Sequence, residues 1–207
     1  MSLAKDIVKD NKKILLLTLG LFLMSIVGIG LLKGGFLKVD PSAIVPGTYT
    51  QPRDVLQEGK DYSAIIRSEY GDIEIELYEE DSPNAVNSFV FLSGEGFYNG
   101  LTFYKVVPDL AIQTGDPVGD GSGGPGYELE GDEKQLEVQE YSVCMANGSQ
   151  FFIAPRGADL TKLTGYPVIG KVTRGFAVVD TIEKVAIDEN YRPINDISIN
   201  SILIIEE

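Results

Sequence analysis

The longest apolar run of the chain lies close to its first residue. Residues Ile14–Leu32 contain no charged side chain and have no polar face. At about 1.5 Å per residue, a helix of this length extends about 28 Å and matches the hydrocarbon layer of a membrane, which is about 30 Å thick. The pattern predicts a transmembrane anchor over residues 14–32, preceded by a short segment over residues 1–13.

Lysine residues are distributed unevenly around this run. Four lysines precede it and two follow it, and the flank with more positive charge usually lies in the cytoplasm. The asymmetry therefore places residues 1–13 in the cytoplasm and the C-terminal part of the chain outside it. A cleaved signal peptide is the main alternative, although its apolar region usually has about 7–15 residues and a small-residue cleavage site. A buried core helix is a lesser alternative.

Regular periodicity is absent over residues 33–61. This segment contains three prolines and four glycines, which favour turns and extended conformations over helices and strands. We expect a tether that separates the membrane anchor from a globular domain over residues 62–207.

Alternation of apolar and polar positions begins at Tyr62. Ile73, Ile75 and Leu77 alternate with Glu74 and Glu76, a period of two that is typical of a strand with one buried face. The preceding "YSAIIRS" has the same character, and "EYGD" lies between the two segments. Together they predict a β-hairpin.

Two later segments have helical periodicity. In "DSPNAVNSFVFLSGEG", apolar residues recur at helical spacing, Ser82 suits the N-cap position and Pro83 suits the first turn. In "RGFAVVDTIEKVA", apolar residues recur at every third position from Phe176 to Val185. We expect one helix in each segment.

The remaining apolar segments are short and strand-like. They are "LTFYKVV", "AIQTG", "YSVCMA", "SQFFIAP", "YPVIGKVT" and "DISINSILIIE". Many short strands with two helices and no βαβ alternation indicate a mainly β fold, either an antiparallel barrel or a sandwich. The similar lengths of the first and last strands favour a barrel that closes on itself.

Composition removes several classes of function. The chain of 207 residues has no histidine and one cysteine, so neither a Ser-His-Asp triad nor a Cys-His pair is available. The cysteine, Cys144, lies in an apolar context and is expected in the core. The net charge of −14 disfavours nucleic acid as a partner.

The glycine-rich stretch offers no clear metal or cofactor motif. Asp116 and Asp120 lack the ligand spacing of a calcium loop. "GDGSGGPG" lacks the lysine of a phosphate-binding loop. What stands out just before it is a cation, Lys105, and an amide, Gln113, within apolar strands. We expect no metal and no cofactor, and a groove that acts without an acid or a base.

Several motifs resemble those of cyclophilin-type peptidyl-prolyl cis-trans isomerases. "TFYKVVPDLAIQTGDPVGDGSGGPG" is similar to the family's F-H-R-V-I-P-x-F-M-x-Q-G-G-D run and the G-x-G-x-G-G after it. "MANGSQFFI" resembles M-A-N-…-G-S-Q-F-F-I, and "LTGYPVIGKV" resembles L-D-G-x-H-x-V-F-G-x-V. With "SPNAVNSFVFLSGEGFYNGLTF", the resemblance covers residues 62–207. It implies a closed eight-stranded antiparallel barrel capped by two helices, and prolyl isomerase activity.

The resemblance also implies the residues of the site. Lys105 stands where the family has a catalytic Arg, and Gln113 stands at the family's Gln, so both are predicted to be catalytic. The residues predicted to bind substrate are Leu110, Ala111, Ala146, Asn147, Phe152, Leu163 and Tyr166. Tyr166 stands where the family usually has His.

Three departures from the family pattern predict reduced turnover. Lys105 offers a single mobile ammonium group where Arg offers a rigid fork of donors. Leu110 and Ala111 replace a Phe-Met pair, which leaves a smaller pocket wall. The connection between Asn147 and Gly148 is also shorter than in the family. These changes affect catalysis more directly than they affect binding of proline-containing peptides.

The predicted function is prolyl isomerisation that assists the folding of exported or membrane proteins. Its substrates would be proline-containing peptides or unfolded proteins, and the chain would contact the membrane through residues 14–32. The alternative is a non-catalytic prolyl-peptide binding module, chaperone or assembly factor. In both cases the domain over residues 62–207 lies on the extracytoplasmic side of a single-pass protein.

Overall fold

A computed structural model describes residues 49–132 and 136–207 of the chain. Within these two ranges, no helix is both long enough and apolar enough to cross a membrane. The predicted cytoplasmic segment at 1–13, the predicted anchor at 14–32 and the first part of the predicted tether lie outside the described residues.

The described residues form a mainly β domain with eight strands and two α-helices. The strands are β1 (Tyr62–Ser68), β2 (Gly71–Leu77), β3 (Lys105–Val107), β4 (Ala111–Thr114), β5 (Ser142–Met145), β6 (Phe151–Ile153), β7 (Val168–Arg174) and β8 (Ile199–Glu206). The helices are α1 (Pro83–Gly94) and α2 (Phe176–Ile182), with a 3₁₀ helix at Leu160–Lys162. Each segment predicted as a strand contains one, and both predicted helices are present. Helix α2 ends at Ile182 and does not include Val185.

The sheet is antiparallel, and its strand order is β3-β4-β6-β5-β7-β2-β1-β8. The predicted hairpin is confirmed, since β1 pairs with β2. The first and last strands also pair, with Ile66 opposite Ile202. The sheet therefore curls through eight strands between two edges, β3 and β8.

The predicted closed barrel is wrong, because strands β3 and β8 do not pair. Strand β3 has three residues. The chain before it meets the start of β8 over a short stretch, through the isolated bridge between Thr102 and Ser198 and a hydrogen bond from the Gly100 amide to the Ile199 carbonyl at 2.7 Å. On its open side, the Val106 amide donates to the carbonyl of Tyr191 at 2.8 Å. A loop thus covers part of the edge where a closing strand was expected, and the fold is a half-barrel.

Helix α1 begins at the predicted residue but is capped differently. Ser82 precedes Pro83 at the N-cap position, yet its hydroxyl donates to the Val168 carbonyl at 2.9 Å and makes no cap bond. The Asp132 carboxylate accepts from the Asn84 amide at 2.8 Å and the Ala85 amide at 3.2 Å instead. A distant carboxylate therefore satisfies the free amides of the first turn.

Residues 49–61 lie against helix α1, although they belong to the predicted tether. The Tyr49 ring packs edge-on against Phe91 with ring centroids 5.3 Å apart. The Asn87 side chain accepts from the Val55 amide at 2.8 Å and donates to the Arg53 carbonyl at 3.0 Å. These contacts mean that an experiment on the domain needs a fragment that includes residue 49.

Candidate functional site

The two predicted catalytic residues lie directly opposite each other on neighbouring strands. Lys105 of β3 pairs with Gln113 of β4, and Gln113 pairs in turn with Phe152 of β6. The row continues to Cys144 of β5. Because directly opposite residues place their side chains on the same face about 4.5–5.5 Å apart, a cation, an amide and an aromatic ring form one line across the sheet.

This line lies on the face opposite the main core. Phe151, as expected, belongs to the main core, while its neighbour Phe152 belongs to a second, smaller hydrophobic cluster. Exposure falls along the row, from the exposed Lys105 through the half-buried Gln113 to Phe152, which is 4% exposed. The row therefore changes from an exposed cation to a buried aromatic ring over three strands.

The second cluster contains most of the residues predicted to bind substrate. Ala111, Phe152 and Leu163 are buried in it, and Leu110 and Ala146 pack against it. Leu163 directly follows the 3₁₀ helix Leu160–Lys162. The structure thus brings five of the seven predicted residues together.

Tyr166 completes one wall of this cluster. Its ring meets the Phe152 ring edge-on, with centroids 5.1 Å apart and an angle of 88° between the planes. Its side chain is 41% exposed. An aromatic edge-to-face pair of this kind orients both rings, so Tyr166 lies fixed beside Phe152 at the exposed margin of the cluster.

Gln113 is held by a second amide, Gln150, which sequence reasoning did not single out. The Gln150 carbonyl oxygen accepts from the Gln113 amide nitrogen at 3.1 Å and from the Tyr104 hydroxyl at 2.6 Å. The Gln150 nitrogen donates to the carbonyls of Gly121 at 3.1 Å and Gly123 at 2.7 Å. Because the nitrogen of Gln113 is occupied, its oxygen remains as an acceptor beside Lys105.

The glycine-rich loop after β4 is ordered around Asp116. This carboxylate is 2% exposed and accepts from the amides of Val118 at 2.8 Å and Asp120 at 2.9 Å, and from that of Gly121. A Cβ atom at Gly123 would lie 2.0 Å from an Asp116 oxygen, so only glycine fits there. The loop is a fixed support for Gln150.

Asn147 is placed at the edge of the cluster but not among the residues that form it. Its side-chain oxygen accepts from the amides of Ser149 at 2.9 Å and Gln150 at 2.8 Å. It therefore shapes the short connection between β5 and β6, in the manner of an Asx turn. The predicted role of its side chain in binding substrate stays a prediction.

Charge and proton affinity distinguish the polar members of the site. Among the described residues, no carboxylate lies within salt-bridge distance of Lys105. Burial, and then the nearby Asp116, raises the pKa of the Tyr104 hydroxyl, so it remains a donor to Gln150. Burial raises the pKa of the Cys144 thiol to about 12. The thiol stays protonated beside Phe152, and Lys105 is the charged donor of the row.

Gln150 and Tyr104 were missed because strand periodicity does not distinguish a buried side chain that makes hydrogen bonds from one that is purely apolar. Gln150 is 3% exposed and lies directly before strand β6. The available signal was chemical, since a buried amide needs several hydrogen-bond partners, and a glycine-rich loop offers exposed carbonyls.

Comparison with known proteins points to one family. The family model "Cyclophilin type peptidyl-prolyl cis-trans isomerase/CLD" matches residues 63–204. The chain is 37% identical over 156 residues to "Peptidyl-prolyl cis-trans isomerase-like 3" of Gallus gallus, covering 69% of this chain and 95% of that protein. It is 39% identical over 152 residues to "Peptidyl-prolyl cis-trans isomerase cyp15" of Rhizopus delemar, where the match covers 68% of this chain but only 24% of the relative.

Solved structures show the same likeness. A crystal structure of a cyclophilin-type peptidyl-prolyl cis-trans isomerase from Cryptosporidium parvum matches with a TM-score of 0.62 and 33% identity, covering 71% of this chain and 99% of that one. A second structure of that protein, in the presence of the dipeptide Ala-Pro, matches with a TM-score of 0.61 and 33% identity.

Proposed function

The chain belongs to the cyclophilin-type peptidyl-prolyl cis-trans isomerase family and is a prolyl isomerase, and from this premise we propose that the row Lys105–Gln113–Phe152 is its catalytic groove. The observation that carries the proposal is the direct cross-strand pairing of these three residues. It aligns a charged donor, an oriented amide and an apolar wall, which are the three groups needed to bind an X-Pro bond.

The chemistry requires selective binding of a twisted peptide bond. Resonance stiffens the C–N bond and gives a rotation barrier of about 18–20 kcal/mol. When the bond twists, the proline nitrogen becomes pyramidal. Its lone pair is then no longer delocalised into the carbonyl group and can accept a hydrogen bond. A donor that binds this lone pair stabilises the twisted state more than either planar state, and so it accelerates the reaction in both directions.

Lys105 is the proposed donor to the proline nitrogen. Its ammonium is exposed and carries no ion pair with any described residue, so it is available to substrate. Gln113 would fix the peptide on the neighbouring side through its free oxygen, since Gln150 holds its nitrogen. Phe152, Leu163 and Tyr166 would hold the proline ring.

Gln150 is proposed to act through Gln113, which makes it a positioning residue. Gln150→Met keeps the volume but leaves the Tyr104 hydroxyl and two glycine carbonyls without their partner, so we expect a loss of ~2–4 kcal/mol in the free energy of unfolding. We also expect a lower kcat/KM, because Gln113 becomes free to rotate. Urea unfolding and a protease-coupled prolyl-peptide assay measure the two effects.

Gln139→Met is the matched control for Gln150→Met, because Gln139 is an exposed glutamine whose side chain, among the described residues, accepts one hydrogen bond, from Lys171 at 3.3 Å. It should change neither quantity appreciably. If Gln150→Met lowers stability but leaves kcat/KM equal to that of the control, Gln150 supports the fold alone and does not position Gln113.

A binding module without useful turnover is the second candidate function. Lys105 in place of Arg favours it, because a mobile ammonium loses more freedom than a planar fork when it donates to the twisted bond. Ala111 also leaves a smaller wall than Met. Both candidate functions use the same groove. They differ in whether the X-Pro bond of a bound peptide isomerises faster than that of a free peptide.

We further propose that the chain is anchored in a membrane through residues 14–32 and that its domain acts on exported or membrane proteins outside the cytoplasm. The support is the uncharged apolar run and the excess of lysines before it. Protease added to intact cells or spheroplasts should therefore digest the domain while residues 1–13 stay protected. Full protection of the domain until lysis would reverse the orientation.

A further inference from the structure

The outer face of β1, β2 and β8 carries a concavity that the catalytic row does not use. Its volume is about 590 Å³, and it lies across strands β7-β2-β1-β8, at the opposite end of the sheet order from β3-β4-β6-β5. We call it the β1–β8 face and define it by Ile65, Glu76, Glu79 and Ile205, which line it.

The floor of the β1–β8 face is apolar. Strand register places Ile205 opposite Ser63, and Leu203 opposite Ile65. Ile65 and Ile205 are partly exposed, and Leu203 is 44% exposed. All three side chains point away from the main core. Ile65 and Ile205 line the concavity, while Leu203 lies beside Ile65 and outside the lining, so the two isoleucines offer an apolar strip to a partner.

The rim of this face is acidic, and its five carboxylates outnumber the three cations beside it, Lys60, Lys171 and Arg174. Its carboxylates are Asp61, Glu74, Glu76, Glu79 and Glu207. Among the described residues, only Glu74 of this set has an ion pair, with Arg174 at 3.6 Å. The nearby Lys60 is paired with Glu206 at 3.3 Å. The face therefore has a net excess of negative charge around an apolar floor.

Glu79 shows that this acidity is more than a solvated surface. Its Oε2 atom is buried and has no hydrogen-bond partner among the described residues. Burial, and to a smaller extent the charge of Asp61, raises the pKa of the Glu79 carboxyl, and hydrogen bonds from the backbone of Glu79 and Tyr62 partly oppose this rise. A buried acceptor without a donor is costly, and a donor that enters the concavity from outside would satisfy it.

We propose that the β1–β8 face is a docking surface for an apolar segment of a partner protein that carries Arg or Lys. The cation would donate to Glu79 Oε2, and its aliphatic stem and the adjacent apolar side chain would lie on Ile65 and Ile205. Charge complementarity selects this occupant, since four of the five rim carboxylates have no ion pair with another described residue. Arg fits better than Lys because its planar fork can reach two carboxylates at once.

The probe is a fluorescein-labelled peptide, acetyl-Leu-Arg-Leu-Arg-Leu-amide, which contains no proline and so does not compete for the catalytic groove. Its binding to the full chain in non-ionic detergent is followed by fluorescence anisotropy. We expect saturable binding that weakens at least about tenfold in Glu79→Gln, as when one partner of a buried charge pair is removed. A version with citrulline in place of Arg should bind at least as weakly.

Glu130→Gln is the matched control, because it removes one negative charge from an exposed site outside the β1–β8 face. It should change the affinity by less than about twofold, as expected for a distant charge in physiological salt. Glu79→Gln should leave prolyl isomerase activity and the unfolding temperature unchanged or higher, because it removes the repulsion with Asp61.

Four results would overturn the proposal. One is the absence of saturable binding up to millimolar peptide. Another is equal binding of the arginine and citrulline peptides. The third is a loss in Glu79→Gln no larger than in Glu130→Gln. A fall in the unfolding temperature of Glu79→Gln with peptide binding retained would also overturn it, since Glu79 would then serve the fold.

Discussion

Lys105→Ala is expected to lower kcat/KM for prolyl-peptide isomerisation by about 10–150-fold, the effect of losing a charged hydrogen bond of ~1.5–3 kcal/mol. Peptide affinity should change less, because the bond to the proline nitrogen forms mainly in the twisted state. Stability should barely change, since Lys105 is exposed and makes no ion pair with a described residue. A protease-coupled assay measures the rate.

Lys105→Arg is the informative companion to Lys105→Ala. A planar guanidinium can donate to the proline nitrogen and to the Gln113 oxygen together, so activity should rise. Suppose instead that both variants are folded and active and that their rates lie within about twofold of the wild-type rate, a difference of only ~0.4 kcal/mol. Lys105 is then a solvated strand lysine, and its assignment as a catalytic residue fails.

Phe152→Ala is expected to reduce both stability and substrate binding. Phe152 is 4% exposed and packs in the second hydrophobic cluster against the Tyr166 ring. Removing a buried aromatic side chain of this kind costs about 3–5 kcal/mol in the free energy of unfolding. Affinity for a proline-containing peptide should fall together with the stability, because the Phe152 ring forms part of the proposed proline pocket. Urea unfolding and peptide titration measure the two losses.

Phe151→Ala provides a matched control on the adjacent residue. Phe151 is fully buried in the main core, where its ring lies 5.3 Å from that of Phe89. It should destabilise the domain by a similar ~3–5 kcal/mol, while peptide affinity of the folded fraction stays unchanged. Equal losses of affinity in both variants would mean that Phe152 is an ordinary core residue.

Local patterns in the sequence were sufficient for most of the secondary structure. The period-two alternation of Ile73, Ile75 and Leu77 predicted strand β2, and those three side chains are buried on one face. Helix α1 begins at Pro83 as the turn chemistry indicated. These features depend on neighbours a few residues away, which is the range that periodicity describes.

Features that depend on distant contacts were not predictable in the same way. The sheet stays open because the contact between the chain before β3 and the start of β8 is limited to a few hydrogen bonds around the bridge between Thr102 and Ser198, and no local pattern reports that pairing. The cap of α1 comes from Asp132, 48 residues beyond Asn84. Residues 49–61 pack on α1 through Tyr49 and Asn87, although their composition is that of a tether.

The candidate site combines both kinds of information. Motif resemblance selected Lys105, Gln113 and Phe152, and the structure places them in one cross-strand row. It did not select Gln150, which accepts from Gln113, or Tyr104, which donates to Gln150, because these hydrogen bonds join residues that lie far apart along the chain.

Exchange NMR on an X-Pro peptide with the full chain tests the catalytic groove most directly. The method reports cis-trans exchange at equilibrium and the protein resonances that the peptide perturbs in one sample. Uncatalysed cis-trans exchange of a free peptide takes tens of seconds or more per event. If the row is the catalytic groove, exchange should be well above that rate, and the resonances of Lys105, Gln113 and Phe152 should be perturbed. Perturbation of these residues without faster exchange, or faster exchange with perturbations elsewhere, would contradict it.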